Sequence, residues 1–425
     1  MKYNAFYKRT RFTPCSWLTK IIICWALSII SVAPCKAQTT ATELLRQALA
    51  EQGNPEYRDN EVTLLPSASE KYADLSLCID SARHFVHLEY FIFRRDSVGN
   101  AFLHLLHRKA SEGVEVRLLI DAYGNYKSPL AMKKEHLDSI RGLGIDVQMY
   151  DPLHFPWIQN MLHRDHRKIV VVDGKTAFTG GMNIADYYER GTERTGRWRD
   201  MQIRLQGPVV DEFENIFAQI WYKTTGEELD SQKYCHKTES AGDKLISVVN
   251  REPRKLSKKM RQAFVSALDV AQHEVRIVNP YPTNTNSVRR AMKRLLRRGV
   301  KLQIMVSSSM DNQITPEVVA IEMKRLMRRG AEVYYYEGGF HHTKVIMVDD
   351  ELCSIGTANF DGRSLRYDFE VNVFVFSPQT TLQLNNIFNA DLQNSVLLTK
   401  DNFKQRFSLR RRMLGRVFQP IKGLL

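Results

Sequence analysis

Cysteine is scarce in the body of this chain. Three of its six cysteines, Cys15, Cys24 and Cys35, fall in the first 37 residues, leaving Cys78, Cys235 and Cys353. An odd number at wide spacing excludes a disulfide framework and a structural zinc pattern. Long apolar runs are also missing. The one apolar stretch of note, Ile21 to Pro34, has 14 residues, short of the roughly 20 that span a bilayer. Acidic residues are in deficit: 47 Asp and Glu face 61 Lys and Arg, a net charge of +14. That balance points to an anionic partner, whether nucleic acid, a phosphate-bearing substrate or an anionic membrane surface.

What is present fits a globular chain of two fused lobes, with 425 residues, 43% hydrophobic and 25% charged. Lys2, Lys8, Arg9, Arg11 and Lys20 precede the apolar run, and Cys35-Lys36-Ala37 follows it. Residues 1–37 therefore read as a signal peptide or signal anchor. The expected localisation is membrane-associated, at the inner membrane or on its periplasmic side.

Beyond the leader, strands and helices alternate. HFVHLEYFIF reads as a strand, followed by a helix ending at Gly113, the strand VEVRLLIDA, a helix ending near Gly144 and the strand IDVQMY. The order returns later: EVRIVNPY, a helix ending at Gly299, VKLQIMVSS, a helix ending at Gly330, and AEVYYYE. Gly113 and Gly144 map onto Gly299 and Gly330 at one offset of 186. One α/β unit is written twice, with lobes at 45–230 and 244–400 and a polar seam between Thr225 and Asp243. Residues 401–425 read as a basic amphipathic tail suited to a membrane surface.

The tails of the two units carry the chemistry. HRKIVVVDGKTAFTGGMN in the first and HTKVIMVDDELCSIGTAN in the second align at an offset of 176. His166, Lys168, Asp173 and Asn183 thus match His342, Lys344, Asp349 and Asn359. Residues i and i+2 of a strand share a face, so each histidine projects with its lysine. Each aspartate falls at odd spacing and is read as a strand-end residue fixing a turn. The asparagines return beside the His-Lys pairs. A histidine supplies a nucleophile or proton carrier, and lysine and amide groups stabilise charge on phosphate oxygens. Two copies facing across a pseudo-twofold supply a nucleophile and a leaving-group acid. His163 and His166 have the spacing of a metal pair, but no cysteine or carboxylate cluster completes it.

This doubled HxKxxxxD pattern, each followed by Gly-x-x-Asn, resembles the phospholipase D superfamily. LEYFIF, EGVEVRLLIDAYG, WRDMQIRLQGPVV, GFHHTKVIMVDDELCSIGTANFDGRS and DFEVN are similar to its bacterial cardiolipin synthase branch. The resemblance implies two α/β lobes, each a mixed sheet flanked by helices, packed about a pseudo-twofold with one shared active site. It implies phosphatidyl transfer between two phosphatidylglycerol molecules, through a phosphatidyl-histidine, with no metal or cofactor. It counts Asp173 and Asp349 with the catalytic His and Lys residues, makes His166 the nucleophile and His342 the acid, and assigns Asn183 and Asn359 to substrate phosphate. It also implies an acidic residue behind each histidine. Asp200 lies 34 residues beyond His166 and Glu370 lies 28 beyond His342, so each half is expected to orient its own ring. Arg363, in FDGRS, sits where the family also has arginine. Three positions depart from the branch pattern: one short apolar segment replaces two spanning helices, Gly362 takes the methionine position of FDMRS, and Gly181 stands where the second half has Thr357. A phospholipase D hydrolase with water as acceptor is the alternative, and a nuclease ranks behind it. The aromatic insertion LHFPWIQ and the basic tail favour lipid, with no nucleic acid expected. The arginine-rich helices SVRRAMKRLLRRG and PEVVAIEMKRLMRRG read as solvated faces with cations suited to anionic headgroups.

Overall fold

The structure is a computed structural model that describes residues 40–126, 130, 132–152, 161–235, 239–253 and 257–423. The leader and the LHFPWIQ insertion lie outside the described residues.

Among the described residues fifteen strands form one sheet. The first half contributes β1 (Glu56–Leu65), β2 (Phe85–Tyr90), β3 (Glu115–Asp121), β4 (Asp146–Tyr150), β5 (Lys168–Val172), β6 (Thr176–Gly180), a two-residue β7 (Trp198–Arg199) and β8 (Gln202–Gln206). The second contributes β9 (Lys244–Arg251), β10 (Glu274–Val278), β11 (Lys301–Ser307), β12 (Glu332–Tyr336), a two-residue β13 (Phe340–His341), β14 (Val345–Val348), β15 (Leu352–Gly356), β16 (Glu370–Phe376) and β17 (Ser395–Leu397). Within the sheet the first half runs β4-β3-β2-β5-β6-β8-β1, and the second runs β12-β11-β10-β14-β15-β16-β9. The two orders are identical. Antiparallel pairing of β1 with β9, Glu56 opposite Ser247, joins them edge to edge across the pseudo-twofold. β17 extends the outer edge beyond β12.

The strands at the centre of each half are buried along their full length, as expected where both faces are covered. One apolar cluster takes Ile169, Ile203, Phe213 and Phe217 from the first half and Met347, Ile355, Val371 and Phe388 from the second. Each such side chain contributes about 1.5–3 kcal/mol on burial, so the halves stabilise each other. The helix Ala41–Glu51 precedes the first half in sequence but packs into the second. Its Ala41, Leu45 and Leu49 lie in one cluster with Phe264, Val275 and Phe374.

The tail is built into the second half. Phe403 and Phe407 enter its core. The helix Leu409–Val417 lies on Thr315–Met327, where Arg411 pairs with Glu317 at 2.7 Å. Among the described residues no helix is long and apolar enough to cross a membrane.

Candidate active site

The two hairpins that end in the motif aspartates are near copies. Asp173 and Gly174 have φ of 52° and 62°, and Asp349 and Asp350 have φ of 52° and 55°. Consecutive left-handed residues make the turn that matches strand twist, and aspartate tolerates that region better than most side chains. The Asp173 carboxylate accepts from the backbone N–H groups of Arg83, His84 and Phe85 at 2.7–2.9 Å. Asp349 accepts from Gln272, His273 and Glu274 at 2.6–2.8 Å. Both carboxylates therefore tie a turn to the start of a neighbouring strand. They stand at the opposite end of β5 and β14 from the lysines, and the structure does not bring them to the histidines.

The histidines do come together. His166 and His342 line one cleft of about 350 Å³, with Asn183 and Asn359 on its wall. The lysines are fully buried beside them. Lys168 donates to the backbone carbonyl of His166, and Lys344 donates to that of His342. Lys344 Nζ also lies 3.1 Å from His342 Nε2.

The orienting carboxylates cross between the halves, against the expectation that each half serves its own ring. His166 Nδ1 lies 3.0 Å from Glu370, and His342 Nδ1 lies 2.7 Å from Asp200. The backbone explains the exchange. β13 runs parallel to β7, with His341 opposite Arg199, so the next residues, His342 and Asp200, meet. A lone bridge sets Asp165 opposite Phe369, so His166 meets Glu370. The His342 N–H donates to Arg199 O at 2.7 Å, and the His166 N–H donates to Phe369 O at 3.1 Å. Each ring can therefore hold its proton on Nδ1 and present Nε2 to the cleft.

Burial sets the electrostatics. It pushes Lys168 down to about 7 and Lys344 down to about 8. Burial, with Lys168 beside it, holds His166 well below the ordinary histidine value. Burial and Lys344 also lower His342. Burial pushes Glu370 up to about 7. Asp200 is equally buried, yet His342 and Lys344 outweigh that and hold it below the usual carboxylate range.

Two sequence departures have local causes. A Cβ built on Gly181 would stand 2.1 Å from Asp200 Oδ1, so the shorter carboxylate occupies the space that Thr357 takes in the second half. There the Thr357 hydroxyl donates to Glu370 instead. A Cβ on Gly362 would stand 2.5 Å from Gly423 Cα, so the C-terminal segment fills the room of the absent methionine side chain.

Several site residues carried no sequence signal. Ser364 Oγ donates to Glu370 at 2.5 Å. Tyr188 accepts from Asn183 Nδ2 at 2.7 Å. Tyr188, Trp198 and Tyr281 give the cleft an aromatic wall. Arg164 is buried against Asp121 at 3.0 Å, beneath the segment that carries His166. Only their places in FDGRS, ADYY, HRDHRK and WRDMQ could have flagged Ser364, Tyr188, Arg164 and Trp198, and Tyr281 lies outside all four. Arg363 lines the cleft and pairs with Asp368 at 2.8 Å. His163 turns away, its Nδ1 lying 3.0 Å from Tyr367 O. Among the described residues no group of three or more His, Cys, Asp or Glu gathers as a metal site.

A doubled α/β unit with paired histidines and lysines in one cleft defines a phosphoryl-transfer protein of the phospholipase D class. The comparisons agree. The family described as "Cardiolipin synthase, PLD-like domain" matches residues 75–221 and 264–392. The cardiolipin synthase of Geobacillus thermodenitrificans is 32% identical over 350 residues, 82% of this chain and 69% of that protein. That of Alkalihalophilus pseudofirmus is 32% identical over 356 residues, 83% and 70% of the two chains. The crystal structure of phosphatidylserine synthase from Haemophilus influenzae shares the fold, with a TM-score of 0.71 at 15% identity, covering 90% of this chain and all of that one. The chain belongs to the cardiolipin synthase family of phosphatidyltransferases.

Proposed function

We infer that the protein condenses two phosphatidylglycerol molecules into cardiolipin and glycerol. The observation that carries this reading is the pair of crossed His–carboxylate contacts opening on one cleft. His166, the more strongly depressed histidine, is uncharged at neutral pH and attacks phosphorus through Nε2. The phosphorus–oxygen bond to the donor's glycerol breaks, and that oxygen takes a proton from His342. The ionised Asp200 behind His342 offsets part of the lowering that burial and Lys344 impose on that ring. A phosphatidyl-His166 results. His342 then accepts the proton of the second substrate's glycerol hydroxyl as its oxygen attacks phosphorus, and His166 leaves.

Lys168 and Lys344 offset the charge on the non-bridging oxygens. The remaining amide N–H of Asn183 and the amide of Asn359 donate to them. Asp173 and Asp349 act on the fold, each fixing a hairpin through three backbone N–H groups. The tail supports a lipid surface as the place of work. Leu409, Met413 and Val417 recur every four residues and are 63%, 55% and 68% exposed, and Arg410, Arg412 and Arg416 flank them.

The test is incubation of the purified protein with labelled phosphatidylglycerol vesicles and chromatography of the products. Cardiolipin with glycerol is expected. Phosphatidic acid as the main product would make the protein a hydrolase instead.

A further inference from the structure

Beside the FDGRS loop, sharing no lining residue with the catalytic cleft, lies another cavity of about 470 Å³. Its wall carries Arg289, Arg325, Arg366, Arg416 and Lys422. Among the described residues one carboxylate pairs with three of these five cations. The buried Glu322 lies 2.5 Å from Arg289, 3.1 Å from Arg325 and 3.4 Å from Lys422. Arg366 and Arg416 make no ion pair among the described residues.

Two further features point the same way. Asn284 lines the cavity, is 1% exposed, and has neither its amide nitrogen nor its amide oxygen hydrogen-bonded among the described residues. A buried unpartnered amide is costly, and a bound acceptor would satisfy its N–H groups. The helix Asn286–Arg297 also starts at this cavity, and its first turn has no side-chain cap, so its positive end and free N–H groups remain available.

We propose that this cavity is an anion site, distinct from the catalytic cleft, that takes a phosphate group, either borne on a lipid headgroup or as free phosphate. Arg289, Arg366 and Arg416 neutralise the phosphate, Asn284 donates from the floor, and the tail closes the site through Lys422. Lys422 is held in place by donating to the carbonyls of Thr283 and Asn284 at 2.8 and 2.9 Å. Gly362 is part of the device, because a side chain there would expel Gly423.

The test uses the full chain and two variants. Asn284 has a φ of 52°, which aspartate also tolerates, and a carboxylate among cations does not harm the fold. N284D should therefore melt no lower than the parent yet repel phosphate. R366Q/R416Q removes two exposed cations without breaking an ion pair. Equilibrium dialysis with radiolabelled inorganic phosphate reads the free ion. Sedimentation with phosphatidylcholine vesicles, with and without phosphatidylglycerol, reads the headgroup. Either variant should weaken binding about tenfold or more in at least one arm, the size expected when a buried charge-assisted contact becomes a like-charge one. Loss in dialysis alone identifies free phosphate as the ligand, and loss with anionic vesicles identifies the headgroup. A K168A/K344A chain, which weakens the cleft, should keep the component that N284D removes. Binding in both arms unchanged by both variants would overturn the proposal.

Discussion

The two halves share strand order, hairpin and motif, yet they hold their histidines differently. Asp200 is short, ionised and pressed against Gly181, and it serves the histidine of the second half. Glu370 is longer, pushed up to about 7, bonded by two hydroxyls, and it serves the histidine of the first. A duplicated unit can divide labour through such second contacts without changing the motif. An ionised partner suits a ring that must carry a proton, and a half-neutral one leaves its ring uncharged.

The largest effect tests whether the halves share one site. H166A and H342A should each lower kcat by about 10³-fold or more, and the double variant should add little, as for groups that act as a unit. Near-normal turnover by either single variant would separate the halves into independent sites.

The carboxylates come next. D200N should lower kcat by about 10²-fold or more with little change in KM, by analogy with the loss of a histidine's ionised partner elsewhere. E370Q should cost less, about tenfold, because Glu370 is already part-neutral near pH 7. Proton and nitrogen spectra of the imidazoles check the crossing itself. D200N should move the signals of His342 and leave those of His166, and E370Q should do the reverse.

That exchange of partners was hidden from the sequence. The repeat, both hairpin turns and the His-Lys pairs were legible because they depend on local spacing and on residues near in the chain. An alignment of one half on the other places Asp200 with His166 and Glu370 with His342, since it compares positions and says nothing of pairing between the halves. The crossing depends on two short parallel contacts, His341 with Arg199 and Asp165 with Phe369. Neither has a strand's length of alternating residues to announce it. The helix Ala41–Glu51 was hidden for the same reason, because its amphipathic pattern shows that it packs but not on which half. Gly181 and Gly362 were visible as departures, but only coordinates show that Asp200 and Gly423 stand in the vacated space.

A pair of exchanges sharpens the comparison at those glycines. G181T makes the first half read like the second, and its Cβ collides with Asp200. Its kcat should fall nearly as far as in D200N. T357G, the reverse exchange, removes one of two hydroxyls on Glu370 and should cost only severalfold, about 1 kcal/mol for a lost hydrogen bond. Equal losses would show that the halves are interchangeable at this position.

The pH profile separates the halves by their lysines. A lowered lysine pKa means that the charge is present below it and lost above it. Turnover should therefore decline on the alkaline side as Lys168 deprotonates near 7 and Lys344 near 8, by about tenfold for each charge lost. On the acid side, the depressed pKa of His166 keeps its neutral form, and hence the attack, available below the usual histidine range near 6.5. An alkaline limb above pH 9 would show that burial does not control these lysines.

The smallest effect lies in the tail, which only the second half carries. Changing Leu409, Met413 and Val417 together to Gln should weaken sedimentation with anionic vesicles severalfold and leave the melting temperature within a few degrees, because these side chains are exposed.

The central claim is a division of roles, with His166 attacking and His342 carrying the proton. Rapid quenching of the enzyme with phosphatidylglycerol labelled in its phosphatidyl phosphorus, under alkaline conditions that preserve phosphohistidine, reads it directly. Peptide mapping should find the label on His166 and none on His342. Label on His342 would contradict the account.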